Sequence, residues 1–231
     1  MSTRRREPAR RPPVKGVLLD VNETLFSLGN LGPAFTACGL DPALAPFWFA
    51  RVLRDGFALA AAGDYCRFAD IALETLVQLP PQGLAPEAAQ RVLTAFHTLE
   101  PHPDVRAGLE RLHAAGIRAL TLTIDDAGLV EALFCRTGLR PLVDGFLSVD
   151  TVRRWKPAPE PYRYGVAQIG WPAANVALIA AHAWDIHGAR RAGLQTGWIA
   201  RLQPEPPGVF DAADVTGADL PAVVDGLLDG R

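Results

Sequence analysis

The sequence predicts an α/β fold in which helices cover a parallel β-sheet and a separate helical block is inserted after the first strand. Two patterns predict the sheet: short apolar runs typical of buried parallel strands, and helical patterns between them that end at glycine. The inserted block is predicted by a long stretch, 28–99, that carries helical patterns and no strand pattern. With 231 residues, 49% of them hydrophobic, the chain is long enough for a core domain and a smaller inserted domain.

Residues 1–13 precede the first strand and combine prolines with five arginines. Such a composition is typical of a disordered basic tail, and a nucleic-acid-binding arm is the alternative. The whole chain has a formal net charge of -2, whereas proteins that bind nucleic acid or anionic membranes need a basic face. We therefore favour a solvated tail and expect neither nucleic acid nor a membrane as a partner.

The core is predicted from five apolar runs, each of the length of a buried parallel strand. These runs occupy 14–19, 119–124, 146–149, 176–181 and 196–200. Helical patterns lie between them, at 105–115, 127–137 and 184–192. Each of these patterns stops at a glycine, the residue type favoured just past a helix C-terminus. Strand, helix and strand repeated in this way predict a sheet of five or six parallel strands.

Three helical segments are predicted within the inserted stretch. They occupy 42–62, 65–78 and 86–99, separated by glycine and proline clusters. A helical block placed directly after the first strand is expected to lie over the carboxyl edge of the sheet as a cap domain, where open α/β sheets bind ligands. The prolines of 100–103 mark an extended return linker. We therefore divide the chain into a tail at 1–13, a core at 14–27 and 100–231, and a cap at 28–99.

Polar side chains stand at the ends of the predicted strands, which meet at one edge of a parallel sheet. Asp20 follows the first strand and is a candidate nucleophile, with a turn cap as the alternative. Thr123 ends the second strand and offers a hydroxyl donor or belongs to a polar turn. Asp185 could orient a water or pair with a cation, and its alternative role is a helix cap. His182 could be a base or polar contact, or a structural residue.

Lysine is rare in this chain: 21 of the 23 cationic residues are arginine, and the two lysines are Lys15 and Lys156. Lys156 lies in the loop after the third strand, between arginines and a proline. A compact ammonium fits between two carboxylates where a planar guanidinium does not. We therefore expect Lys156 to have a role in the site that depends on this compactness.

In chain order, Asp20, Thr24, Thr123, Lys156 and Asp185 resemble the haloacid dehalogenase superfamily, and within it the type II 2-haloacid dehalogenases. The resemblance covers 14–220 and implies the Rossmann-like parallel-sheet core of that superfamily, with an inserted helical cap. It implies that Asp20 is the nucleophile and Lys156 the charge-balancing cation. It also implies that Thr24 and Thr123 orient the nucleophile or the substrate carboxylate and that Asp185 is the last acid of the pattern.

The resemblance further implies a pocket for the substrate. Its candidate residues are Asn22, Trp48, Phe49, Ile124, Tyr162 and His182. Three positions depart from the family pattern: Phe49 replaces a halide-binding arginine, Ile124 an asparagine, and Glu23 a position often held by glycine. Because an isoleucine cannot supply the hydrogen bonds of an asparagine, we expect simple haloacids to bind weakly.

Two residue types favour dehalogenation over the phosphatase chemistry of the same superfamily. Asn22 stands where the phosphatases have a general acid, and Ala181 where they have a metal-binding carboxylate. A halide leaves as a stable anion and needs neither group, so we expect no metal and no cofactor. A phosphatase or another hydrolase of the superfamily remains the alternative enzyme, and a catalytically degenerate binding protein is the alternative without catalysis.

The expected reaction is hydrolysis of a short 2-haloalkanoic acid. Asp20 attacks the halogen-bearing carbon and forms an ester, which is hydrolysed by a water positioned by Asp185 with His182. Three widely spaced cysteines give no pattern for a zinc or redox site, and no leader or membrane-spanning run precedes the core. We therefore expect a cytoplasmic enzyme, and the family resemblance implies a homodimer as the possible assembly.

Overall fold

The computed structural model describes residues 11–79 and 83–229, so most of the predicted tail lies outside the described residues. Its last residues lie on the core. The carbonyl oxygens of Pro12 and Pro13 accept hydrogen bonds from the side chains of Gln195 and Asn175, at 2.7 and 2.8 Å. Residues 12 and 13 are therefore hydrogen-bonded to the core, although the sequence predicts that they belong to a disordered tail.

Eight strands form the sheets of the described chain. They are β1 (Gly16–Leu19), β2 (Phe26–Ser27), β3 (Glu100–Pro101), β4 (Arg118–Thr123), β5 (Gly145–Ser148), β6 (Val176–Ala180), β7 (Gln195–Ile199) and β8 (Val215–Gly217). Six of them build one parallel sheet in the order β5-β4-β1-β6-β7-β8, which confirms the predicted α/β class. From β1 the chain adds β4 and β5 on one side of the sheet, and then β6, β7 and β8 on the other. The end of β1 is therefore the point where ligands bind in sheets of this kind.

Nine α-helices accompany these strands in the described chain. They are α1 (Leu31–Ala37), α2 (Leu44–Ala62), α3 (Phe68–Val77), α4 (Pro86–Leu93), α5 (Val105–Ala114), α6 (Ala127–Arg136), α7 (Pro159–Ile169), α8 (Ala183–Arg191) and α9 (Leu220–Leu228). Helices α7 and α8 cover one face of the sheet, where Leu18 of β1 points, and α5, α6 and α9 cover the other, where Val17 and Leu19 point. This alternation follows the two-residue period of a strand with both faces buried.

The helical block comprises α1 to α4 and a short 3₁₀ helix, Thr94–Thr98. The chain enters and leaves it through β2 and β3, which pair antiparallel. The block differs from the prediction in two ways: α1 was not predicted, and the segment predicted at 86–99 divides into α4 and the 3₁₀ helix. The division of the chain into domains at 28 and 100 stays a prediction.

The block packs on the carboxyl edge of the sheet through aromatic contacts. Trp155, in the loop after β5, stacks on Phe68 of α3 with ring centroids 6.3 Å apart and donates a hydrogen bond to the carbonyl of Cys66 at 2.8 Å. Gly56 of α2 faces the same indole, and a Cβ atom there would lie 2.4 Å from the ring. Only glycine permits this approach of α2 to Trp155.

None of the helices within 11–79 and 83–229 combines the length and the apolar character that crossing a membrane requires.

Candidate active site

Asp20 follows β1 directly and is 4% exposed. The tight turn after it, in which the amides of Thr24, Leu25 and Phe26 all donate to the carbonyl of Val21, brings the Thr24 hydroxyl back to the carboxylate. Thr24 Oγ1 donates to Asp20 Oδ2 at 2.6 Å and accepts the backbone amide of Ala181, at the end of β6, at 2.9 Å. The hydroxyl is therefore fixed by a neighbouring strand and in turn fixes the orientation of Asp20.

Lys156 is fully buried and uses all three of its hydrogen-bond donors. Its Nζ donates to Asp20 Oδ1 at 2.8 Å, to Asp185 Oδ2 at 2.6 Å, and to the carbonyl of Leu122 in β4 at 3.0 Å. The ammonium thus lies between two carboxylates, as expected from its rarity in the sequence. Three acceptors arranged around one nitrogen match a point charge with rotatable donors and do not match a planar guanidinium.

The charges of this cluster favour the ionised form of Asp20. Burial alone would raise the pKa of Asp20, but the positive charge of Lys156 and the contacts with His182 hold that pKa well below its usual range. Burial likewise opposes the charge of Lys156, yet Asp185 and Asp20 raise the pKa of Lys156 above its usual value. At neutral pH the site therefore contains an ionised Asp20 beside a protonated Lys156.

Asp185 lies in the first turn of α8 and is completely buried. Its Oδ1 accepts a hydrogen bond from the hydroxyl of Tyr162 at 2.6 Å, and its Oδ2 accepts from Lys156 at 2.6 Å. Burial and the charge of Asp185 raise the pKa of Tyr162 well above its usual value, so the phenol stays a donor. Both oxygens of Asp185 therefore have partners within the protein, and the carboxylate orients Lys156.

His182, at the end of β6, contacts two carboxylates. Its Nδ1 is 3.2 Å from Asp20 Oδ2, and its Nε2 is 2.9 Å from Glu23 Oε2. Burial lowers the pKa of His182, but hydrogen bonds to Asp20 and Glu23 outweigh burial and raise it to about 9. The contact of Glu23 with His182 was not predicted, because Glu23 was expected only as a departure from the family pattern. The signal available was that Glu23 and His182 follow adjacent parallel strands, β1 and β6.

Four other predicted residues have no hydrogen bond to Asp20 among the described residues. Thr123 Oγ1 accepts the backbone amide of Asp125 at 3.0 Å, and Ile124 is packed in the apolar core. Trp48 lies inside the helical block, where its indole N–H donates to the carbonyl of Ala72 and to Thr75 Oγ1. Asn22 is buried with its Nδ2 unpaired. The catalytic role predicted for Thr123 and the substrate contacts predicted for the other three therefore stay predictions.

A cavity of about 320 Å³ lies between α2 and the turn after β1. Apolar side chains form most of its wall, among them Phe49, while Glu23 and His102 supply polar groups. Glu23 thus faces the cavity and also contacts His182, which joins the cavity to the carboxylate cluster. Phe49 lines this cavity, and its contact with a substrate stays a prediction.

Comparison with known proteins identifies relatives over most of the chain. Residues 14–193 match the family model of the haloacid dehalogenase-like hydrolases. The (S)-2-haloacid dehalogenase H-109 of Pseudomonas putida is 26% identical over 226 residues, which cover 94% of this chain and 99% of that protein. An (S)-2-haloacid dehalogenase of Xanthobacter autotrophicus is 27% identical over 197 residues, covering 83% of this chain and 77% of that protein.

Solved structures give the same result for the fold. The crystal structure of the L-2-haloacid dehalogenase RSc1362 has a TM-score of 0.86 at 25% identity and covers 94% of this chain and 99% of that chain. The L-2-haloacid dehalogenase of Xanthobacter autotrophicus with chloropropionic acid covalently bound has a TM-score of 0.80 at 23% identity, covering 93% and 97%. The parallel sheet with its inserted helices agrees with the family model, which matches 180 of 231 residues. The chain therefore belongs to the haloacid dehalogenase-like hydrolases.

Proposed function

We propose that this protein is a hydrolytic dehalogenase of short 2-haloalkanoic acids that works through a covalent ester on Asp20. One observation carries the proposal: Asp20 is buried, ionised and oriented, with Lys156 on one oxygen at 2.8 Å and Thr24 on the other at 2.6 Å. A carboxylate held in this way is an activated nucleophile. The names of the relatives, among them 2-haloacid dehalogenases, support the choice of substrate.

In the first half of the reaction an oxygen of Asp20 attacks the halogen-bearing carbon. The new carbon–oxygen bond forms as the carbon–halogen bond breaks, and the halide leaves with the bonding electrons. In the second half, the oxygen of a water adds to Cγ of Asp20, and the bond between Cγ and the alkyl oxygen breaks. The 2-hydroxy acid leaves and the carboxylate of Asp20 is restored.

We propose further that the reaction requires no metal. A divalent cation at this edge of the sheet would need the oxygens of Asp20 and Asp185 that the ammonium of Lys156 already contacts, at 2.8 and 2.6 Å. Ala181, at the end of β6, offers no carboxylate in addition. The donor set of these residues therefore fits an ammonium better than Mg²⁺, and this disfavours the phosphatase alternative.

The test is a single turnover with enzyme in excess over 2-chloropropionate, in water enriched in the heavy oxygen isotope. We expect halide release, with the heavy isotope in Asp20 and not in the hydroxy acid, because the alkyl oxygen comes from the enzyme. Asp20→Asn should release no halide, while the matched variant Asp229→Asn, at an exposed helix end, should behave as the wild type.

Other results would exclude the proposal. Heavy oxygen in the hydroxy acid after the first turnover would indicate direct attack by water. Release of phosphate from an aryl phosphate with Mg²⁺, without halide release from haloacids, would identify a phosphatase. A folded protein that releases neither halide nor phosphate would be a binding protein that has kept the fold.

A further inference from the structure

We propose that Arg201 is a positioning residue that orients Asp20 through Thr24, a role that rests on the proposed ester chemistry. Arg201 lies two residues after β7, at the same edge of the sheet as the carboxylate cluster. Its Nε donates to the backbone carbonyl of Thr24 at 2.9 Å, and its Nη2 donates to Asp104 Oδ2 at 2.6 Å. The guanidinium therefore joins the turn after β1 to the start of α5.

Every polar group of Thr24 has a hydrogen-bond partner. The amide donates to the carbonyl of Val21 at 3.2 Å, and the hydroxyl donates to Asp20 Oδ2 at 2.6 Å. The same hydroxyl accepts the amide of Ala181 at 2.9 Å, and the carbonyl accepts from Arg201. Arg201 thus fixes the backbone that carries the hydroxyl, while Ala181 fixes the hydroxyl itself.

Asp104 is a firm anchor for the guanidinium. It lies immediately before α5, and its Oδ2 also accepts the backbone amide of Leu220, the first residue of α9, at 2.7 Å. Gly108 of α5 faces the side chain of Leu220 so closely that a Cβ atom there would overlap with it. Burial opposes the charge of Asp104, but hydrogen bonds from Arg201 and Leu220 hold its pKa below the usual value. Arg201 is therefore tied, through a carboxylate, to two closely packed helices of the core.

The two contacts of Arg201 match the shape of a guanidinium. Nε and Nη2 belong to one planar group, so they hold the carbonyl of Thr24 and the carboxylate of Asp104 in fixed directions relative to each other. An ammonium has a single nitrogen on a flexible stem and does not fix two acceptors in one plane. The side chains of Arg201 and Asp104 are 11% and 16% exposed, so water competes little for either contact. A lysine at this position should therefore keep the charge but lose the orientation.

Two hydrogen bonds connect Arg201 to the nucleophile. The first holds the backbone of Thr24, and the second runs from the Thr24 hydroxyl to one oxygen of Asp20. In the described part of the chain Arg201 has no hydrogen bond or ion pair with Asp20, so its loss should change the direction of the carboxylate more than its charge. Misplacement of a reacting group by about 1 Å costs about 10²-fold in rate. Loss of Arg201 should therefore slow the attack on the halogen-bearing carbon.

A different route from Arg201 to the substrate would pass through the next residue. Leu202 lines the cavity and is 48% exposed. Displacement of this side chain would change how the substrate binds, and the substrate concentration for half-maximal rate would rise. Action through Thr24 changes the attack itself and lowers the maximal rate. The two routes are therefore separated by the kinetic constants of the first turnover.

The experiment measures the first halide released, by rapid quench, over a range of 2-chloropropionate concentrations. We expect the maximal rate to fall by about 10²-fold in Arg201→Gln and by less in Arg201→Lys, which keeps one of the two contacts, with the half-saturating concentration unchanged. Arg111→Gln is the matched control. Arg111 of α5 also donates to a carbonyl and a carboxylate, those of Pro221 and Asp225 in α9, and its loss should leave the rate as in the wild type.

A double-mutant cycle with Thr24 supplies the readout that a merely structural role would not move. Thr24→Val removes the hydroxyl through which Arg201 acts, so Arg201→Gln should slow this variant no further. A structural role would give the same loss in both backgrounds. Urea denaturation of all four proteins identifies conditions in which each is folded. Asp104→Asn keeps an acceptor for Arg201 without its charge and should lower the same rate, so it tests the contact even where Arg201→Gln does not fold.

Three results would overturn the proposal. One is a wild-type first turnover in folded Arg201→Gln or, where that variant does not fold, in Asp104→Asn. Another is a raised half-saturating concentration with an unchanged maximal rate, which would place the effect at Leu202. The third is an equal loss with and without the Thr24 hydroxyl. Failure of the proposed function is distinguishable, because the wild type would then release no halide, while faster amide hydrogen exchange at 21–26 in Arg201→Gln would still show that Arg201 holds the turn.

Discussion

Replacement of Lys156 by arginine tests whether the site needs a compact cation or only a positive charge. The ammonium has three acceptors within 3.0 Å and no exposed surface. A guanidinium is larger and planar, so it must displace at least one acceptor. Overpacking in a buried site costs about 1–3 kcal/mol, and a buried group that loses its hydrogen bond costs about 1–3 kcal/mol more. We therefore expect Lys156→Arg to lose about 2–6 kcal/mol of the free energy of unfolding.

The expected loss of activity follows from the same displacement. Asp20 is oriented by Lys156 and Thr24, and a shift of about 1 Å in a reacting group costs about 10²-fold in rate. Urea denaturation followed by circular dichroism measures the free energy of unfolding, and halide release under conditions where the variant is folded measures the rate. Lys15→Arg is the matched control, because it makes the same substitution at the other lysine of the chain, which is exposed.

A second variant separates the charge from the geometry. Lys156→Met removes the charge without adding volume and takes away the cation that both buried carboxylates contact, which costs about 3–5 kcal/mol. Wild-type stability and turnover in Lys156→Arg, together with loss of both in Lys156→Met, would show that charge alone is required. A compact cation would then not be needed at this position.

Three further changes test contacts around the site. Thr24→Val removes the hydroxyl that holds Asp20 and leaves a buried amide unpaired, so kcat should fall and urea denaturation should show a loss of about 1–3 kcal/mol, whereas Thr24→Ser should retain both. The pKa of His182 is raised from 6.5 to about 9, so its charged form adds about 3 kcal/mol below pH ~6.5, lost as pH rises through about 9. His182→Asn should therefore flatten the stability profile between these values, and an unchanged profile would contradict the assignment. Gly56→Ala, whose Cβ would meet the Trp155 ring at 2.4 Å, should lower Tm and cost about 1–3 kcal/mol.

The sequence predicted five strands of the sheet because parallel strands with both faces buried are continuous apolar runs. It did not predict β8, whose residues alternate between half-buried and exposed at the edge of the sheet, nor α7 and α9. The short pair β2 and β3 was also missed, because two-residue strands have no hydrophobic period to detect.

The carboxylate cluster could be predicted because it depends on topology. Asp20 and Asp185 follow the neighbouring strands β1 and β6. The rare Lys156 supplies a compact cation that fits between two carboxylates. The contact of Glu23 with His182 depends instead on a left-handed backbone conformation that a sequence pattern assigns to glycine. For Trp48, the helical segment predicted at 42–62 contained the residue but could not show that its indole N–H donates within the helical block.

The position of Trp155 has a mechanical consequence. It is the residue immediately before Lys156. Its indole packs against Phe68 and Gly56 and donates to the carbonyl of Cys66, all in the helical block. The peptide bond between Trp155 and Lys156 is rigid, so the backbone of Lys156 is held close to these contacts. A displacement of the helical block that moved Trp155 would therefore also displace the backbone of Lys156, whose ammonium contacts Asp20.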